Sequence, residues 1–257
     1  MFKKLPSMSI LFHGRLFQPN SLLRHKLFLL CLLVSCYFGS VFFSREVSAV
    51  SNVITPAKSI VIDPGHGGID PGKVGVNDCL EKEINLSIAQ KVKDLLEQDG
   101  YDVYLTRSND KDLFPVTSKH PKRDDLQARV SLIEKVDPYF TVSIHQNSFP
   151  SENVSGPQVF YYHTSKEGAQ LAQVLQTCLN DLLSPASKRE CKDDDSYYLL
   201  KKTTTPTVIV ECGFLSNPKE ASMLVTDSYQ DLVASAIYQG IVTYLNTTSS
   251  PNPVVLQ

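Results

Sequence analysis

Four side chains carry most of the chemistry that this sequence offers: His66, Glu81, His145 and Glu211. Three of them follow short apolar runs. Ser59 to Asp63 leads through Pro64-Gly65 into His66, Tyr139 to Ile144 ends at His145, and Thr207 to Val210 ends at Glu211. If these runs are strands of one sheet, they deliver two imidazoles and a carboxylate to the carboxyl edge, where α/β sheets bind ligands. Glu81 opens the next helix after a Gly- and Pro-rich loop of 14 residues and reaches the same edge. Two His and one carboxylate form a catalytic zinc set that leaves the fourth position for water, and the second carboxylate is then free as a base. On this spacing either glutamate could fill either role.

Each member alone has an ordinary explanation. A histidine after a strand is commonly a loop or core residue, and a glutamate suits the positive end of a helix. Glu211 resists this. Between Val208-Ile209-Val210 and Cys212-Gly213-Phe214 it should be buried, and a buried carboxylate is costly unless paired, protonated or bound to a metal. Two rival motifs are weaker. Gly67 to Val74 nearly matches a phosphate-binding G-x-x-x-x-G-K-[ST], but Val74 replaces the hydroxyl and no helix starts there. Ser216-Asn217-Pro218-Lys219 fits S-x-x-K, with Lys202-Thr203-Thr204 loosely like its K-T-G partner, although Pro218 opposes the helical turn that would join Ser216 to Lys219.

The elements that must hold these residues alternate. Strands at Ser59 to Asp63, Asp102 to Thr106, Tyr139 to His145, Gln158 to His163 and Thr207 to Glu211 are interleaved with helices at Glu81 to Gln98, Asp125 to Val136, Glu167 to Leu183 and Asp227 to Leu245. That order implies an α/β fold, a single domain with a mostly parallel twisted sheet and helices on both faces. The domain spans residues 59–246, after a linker at 50–58 and before a flexible tail at 247–257. A monomer is expected.

Among 257 residues, 42% are hydrophobic and 20% charged, an ordinary globular composition. Residues 1–49 hold six bases and one acid, which leaves 19 bases against 26 acids in the rest. With no basic stripe, a surface of that sign sets nucleic-acid binding aside. The bases at Lys3, Lys4, Arg15, Arg24 and Lys26 precede an uncharged run from Leu27 to Ser44, the pattern of an export signal. Three outcomes fit: cleavage after Val47-Ser48-Ala49, retention as a membrane anchor, or lipidation at Cys36 in Leu33-Val34-Ser35-Cys36. All place the domain outside the cytoplasm, in the periplasm or cell envelope. Beyond the signal, Cys79, Cys178, Cys191 and Cys212 permit two disulfides there.

Five ordered blocks, Ile62 to Gly72, Glu81 to Leu86, Leu105 to Arg107, Ser143 to Asn147 and Val210 to Pro218, together resemble the zinc-dependent N-acetylmuramoyl-L-alanine amidases of the bacterial cell-separation type. The resemblance implies that His66, Glu81 and His145 bind Zn2+, that Glu211 is the catalytic carboxylate, and that the substrate is the amide between N-acetylmuramic acid and L-Ala in peptidoglycan. A zinc peptidase acting on stem peptides, an added Ser216-dependent carboxypeptidase and a non-catalytic wall-binding module are the competing functions. Asp63 or Asn147 are candidates to orient a ligand imidazole, and Arg107 and Arg129 to meet substrate carboxylates or to form ordinary ion pairs. Some relatives plug the zinc cleft with an inserted helix between the second His and the catalytic Glu. Here only Ser184 to Pro206 has room. Its Asp193-Asp194-Asp195 run and polar end argue against a long docking helix, leaving Tyr197 to Leu200 as a short lid or groove wall.

Overall fold

The apolar runs become strands because both of their faces are covered. The computed structural model describes residues 59–114 and 118–249. The expectations for the signal segment, Cys36, the 50–58 linker and the tail beyond residue 249 concern residues outside that range. In chain order the elements are β1 (Ile60–Pro64), α1 (Glu81–Gln98), β2 (Val103–Leu105), α2 (Pro121–Val136), β3 (Phe140–Asn147), β4 (Gln158–Tyr161), α3 (Lys166–Leu183), β5 (Lys192–Asp193), α4 (Tyr198–Lys202), β6 (Thr207–Phe214), α5 (Pro218–Leu224) and α6 (Asp227–Ser249).

One sheet runs in the order β2-β1-β3-β6-β4-β5. Strands β2, β1, β3 and β6 are parallel, as expected, whereas β4 lies antiparallel to β6 and carries β5 parallel to itself. The reversal has a local cause. A parallel return needs a crossover of a dozen or more residues, usually helical, and the segment between Asn147 and Gln158 has no helix, so the chain turns back. The sheet is therefore mixed, with a parallel centre.

Alternation along the strands divides the core. Ile60, Ile62, Phe140, Val142, Ile144, Val208 and Val210 pack under α1, α3 and α6 in the larger cluster. Val61 and Ile209 point the other way, against Ile133 of α2 and Leu199 and Leu200 of α4. His145 and Glu211 lie two residues beyond Ser143 and Ile209, and they pair directly across β3 and β6. Directly opposed residues share a face, so both side chains rise on the thinner α2/α4 side. Among the described residues no helix is long and apolar enough to cross a membrane.

Candidate metal centre

The loop after β1 is built around two close approaches. A Cβ on Gly65 would lie 2.1 Å from Cε1 of His145, and one on Gly72, whose φ is +67°, would lie 2.6 Å from Oε2 of Glu81. Only glycine admits both contacts. Between them His66 adopts a left-handed φ of 60°, uncommon for a residue with a Cβ, and the surrounding bonds hold it there. Gly67 and Asp70 exchange backbone hydrogen bonds at 3.0 Å. Arg129 donates to the carbonyls of Pro64 at 2.7 Å and His66 at 2.6 Å, and Arg107 to those of Pro64 and Gly65 at 2.9 Å.

Within this frame the ligand atoms of His66, Glu81 and His145 all lie within 4.8 Å of one another. His66 Nδ1 donates to Asp70 at 2.8 Å, since a carboxylate can only accept, and this turns Nε2 toward Glu81 Oε2 at 3.2 Å. On the other side, His145 Nδ1 meets Glu81 Oε1 at 3.0 Å. Glu81 is fixed by the backbone N–H groups of Lys73 at 2.7 Å and Gln146 at 3.0 Å. Its burial favours the neutral acid, yet hydrogen bonds from the two imidazoles hold its pKa well below the usual carboxylate range. Burial likewise opposes charge on His66, but Asp70 and Glu81 push its pKa up to about 9. The cluster is thus already arranged around positive charge, and a cation that displaced the protons would find two nitrogens and a carboxylate converging on it.

Glu211 faces the same cleft, which His66, Glu81, His145 and Tyr197 also line. Its Oε1 accepts from the Tyr197 hydroxyl at 3.0 Å, while Oε2 is buried with no partner. Burial, reinforced by the charge of Glu81 and only partly offset by His145, pushes its pKa up to about 7. That value suits a group that takes and returns a proton near neutral pH. The donor set and the orphaned oxygen beside it both fit a bound metal with a water to be activated. The side chains of His66 and His145 remain 20% and 19% exposed, so the cleft is open to solvent.

The supporting residues differ from expectation. Asp63 touches neither imidazole. It accepts from Thr106, Ser143 and Arg129, and so braces β1 against its neighbours. The Asn147 side chain accepts from the adjacent Ser148 backbone and makes no hydrogen bond to either imidazole among the described residues. The residue that orients the His66 imidazole is Asp70, four positions on, and its only sequence signal is that spacing. Arg107 and Arg129 are buried and spent on carbonyls, with Arg129 also paired to Asp63 and Asp125, so neither meets a substrate carboxylate. Ser216 Oγ accepts from Phe149 N at 3.0 Å and makes no hydrogen bond to exposed Lys219 among the described residues, which leaves the serine alternative without its base. The helical turn that would join Ser216 to Lys219 does not form: α5 begins at Pro218, because proline suits a first helical turn, and leaves Ser216 outside it. Cys79, Cys178, Cys191 and Cys212 are all free thiols.

The family of N-acetylmuramoyl-L-alanine amidases matches residues 60–243. The germination-specific N-acetylmuramoyl-L-alanine amidase of Bacillus subtilis is 41% identical over 197 residues, covering 76% of this chain and 82% of that one. The CwlD amidase of Clostridioides difficile, solved in complex with the GerS lipoprotein, aligns with a TM-score of 0.71 at 38% identity, over 74% of this chain and 98% of that one. The catalytic domain of CwlV from Paenibacillus polymyxa aligns with a TM-score of 0.65 at 33% identity, over 74% and 98% of the two chains. With the match extending over nearly the whole described fold, the chain belongs to the N-acetylmuramoyl-L-alanine amidases, hydrolases of the amide that joins N-acetylmuramic acid to L-alanine in peptidoglycan.

Proposed function

We propose that this amidase is an exported, zinc-dependent enzyme of cell-wall remodelling and cell separation, in which His66, Glu81 and His145 hold the metal and Glu211 is the general base. The observation that carries this reading is the convergence of the three candidate ligand atoms in the cleft that also holds Glu211, whose Oε2 is, among the described residues, the one buried carboxylate oxygen with no partner. A zinc ion held by His66, Glu81 and His145 would supply Lewis acidity, both to activate the attacking water and to polarise the scissile carbonyl. Glu211 takes the proton of the attacking water on its free oxygen and returns it to the leaving amine, and a pKa of about 7 permits both transfers. Asp70 keeps the proton of His66 on Nδ1 and leaves Nε2 for the metal. No covalent enzyme intermediate is required.

Export rests on the basic and apolar N-terminal run, by cleavage, anchoring or lipidation at Cys36. The enzyme works as a monomer without an activator to uncover its zinc. The start of the segment with room for a plug is stitched elsewhere: Arg189 donates to Ser155 O at 2.8 Å and lies 4.8 Å from the Phe214 ring centre, while Ser196, Tyr197 and the first turn of α4 line the cleft. Glu211→Gln should retain zinc and lose about 10²- to 10⁴-fold in turnover, the usual contribution of a positioned base, whereas His145→Ala should lose zinc as well. Metal content and hydrolysis of peptidoglycan by the two variants test this. Full activity in His145→Ala would remove the metal from the mechanism.

A further inference from the structure

We propose that Tyr197 is a positioning residue for Glu211, anchoring one oxygen of the carboxylate so that the other is presented to the cleft; this rests on Glu211 being the base. The hydroxyl of Tyr197 donates to Oε1 at 3.0 Å, and Oε2 is the oxygen left buried and unpartnered. In the ionised form that acts as base Glu211 can only accept, and burial beside it keeps the phenol protonated, so the hydroxyl is the donor. The last torsion of a glutamate is broad and nearly two-fold, so a carboxylate with no anchor would exchange its oxygens and swing away from the attacking water. One fixed oxygen fixes the other.

The phenol is itself held rigidly. Its ring packs on Phe160 of β4 with centroids 5.5 Å apart, in the smaller core cluster beside Leu199 and Leu200. The chain leading to it is pinned to the sheet, since Asp194 N donates to Tyr161 O at 2.8 Å and the Asp194 carboxylate accepts from Ser196 N at 2.6 Å. Strand β5 and helix α4 thus act as a bracket that carries one hydroxyl over the cleft. The segment that the sequence marked as a possible lid has instead a fixed polar contact with the catalytic carboxylate.

Tyr197→Phe removes the donor and keeps the ring. In the zinc-loaded enzyme it should lower kcat about tenfold or more, the usual effect of losing a hydrogen bond to a charged group. KM, zinc content and melting temperature should stay near wild type. Placed on Glu211→Gln, the same change should cost nothing further, because the group it positions is gone. A packing defect would instead act alike in both backgrounds, and that result, a wild-type kcat in Tyr197→Phe, or a raised KM with kcat intact would overturn the proposal. If Glu211→Gln itself keeps full turnover, the base assignment fails. If only Tyr197→Phe does, the base stands and the positioning role falls.

Discussion

At the residue scale the site depends on what is missing as much as on what is present. Gly65 gives up a side chain so that the His145 ring can lie where a Cβ would be, 2.1 Å from Cε1. Gly65→Ala must push the ring or the β1 loop aside, and a displacement of one ligand by about 1 Å costs a metal site dearly. The expected result is weakened zinc affinity and at least tenfold lower activity in a protein that still folds, read by metal titration and circular dichroism. Unchanged zinc affinity would show that the ring can shift freely. The three candidate ligands stood out in the sequence because each sits at an apolar strand or at a helix start, and the structure brings them together. Asp70 and Tyr197 were not legible as partners: nothing in one sequence distinguishes a loop aspartate that meets an imidazole from one that meets water, or a core tyrosine from one that bonds a base.

At the scale of elements, the frame under the site is the buried pair of Asp63 on β1 and Arg129 on α2, 2.7 Å apart and both nearly inaccessible. Burial alone would raise the Asp63 pKa, but Arg129 with the Ser143 and Thr106 hydroxyls lowers it to about 2 from 3.8. A depressed folded pKa stabilises the fold fully above the unfolded value and loses that stabilisation as pH falls, so the contribution, on the order of 2 kcal/mol, fades between about pH 4 and pH 2. Asp63→Asn should flatten the decline of stability across that window, and it should also be less stable at pH 7, by about 1.5–3 kcal/mol, because Arg129 keeps Asp125 but loses its charged partner on β1. Thermal melts from pH 2 to 7 check both, and a variant with the wild-type pH slope would show that Asp63 is not the titrating group. The elements of the fold were legible where they were long. Helices α1, α3 and α6 follow periodic apolar stripes, whereas β5, α4 and α5 are two, five and seven residues long and too short to show a period. Strand β4 was legible but its antiparallel direction was not, because alternation of strand and helix was read through a connection that has no helix.

At the scale of the whole molecule, the fold places a parallel strand pair, β3 and β6, so that one residue from each faces the next across the ladder, and it brings a loop and a helix start to the same point. This division of labour explains why a single domain suffices: the larger core cluster fixes the sheet, and the thinner α2/α4 side leaves the cleft accessible. The domain alone, with no added protein, should therefore hydrolyse peptidoglycan at its full rate. Negligible activity that rises sharply with an envelope extract would show that something must first uncover the cleft.

If the His66, Glu81 and His145 centre drives cleavage of one particular amide, the released fragments will carry the ends of that bond. Mass spectrometry of the fragments released from intact sacculi tests it most directly, with the protein run as purified, after chelation, and after zinc is restored. The expected products are stem peptides with a new free L-Ala amino terminus and glycan strands with an intact lactyl carboxyl group, lost on chelation and recovered with zinc. Cleavage within the stem peptide, or amidase products unaffected by chelation, would contradict it.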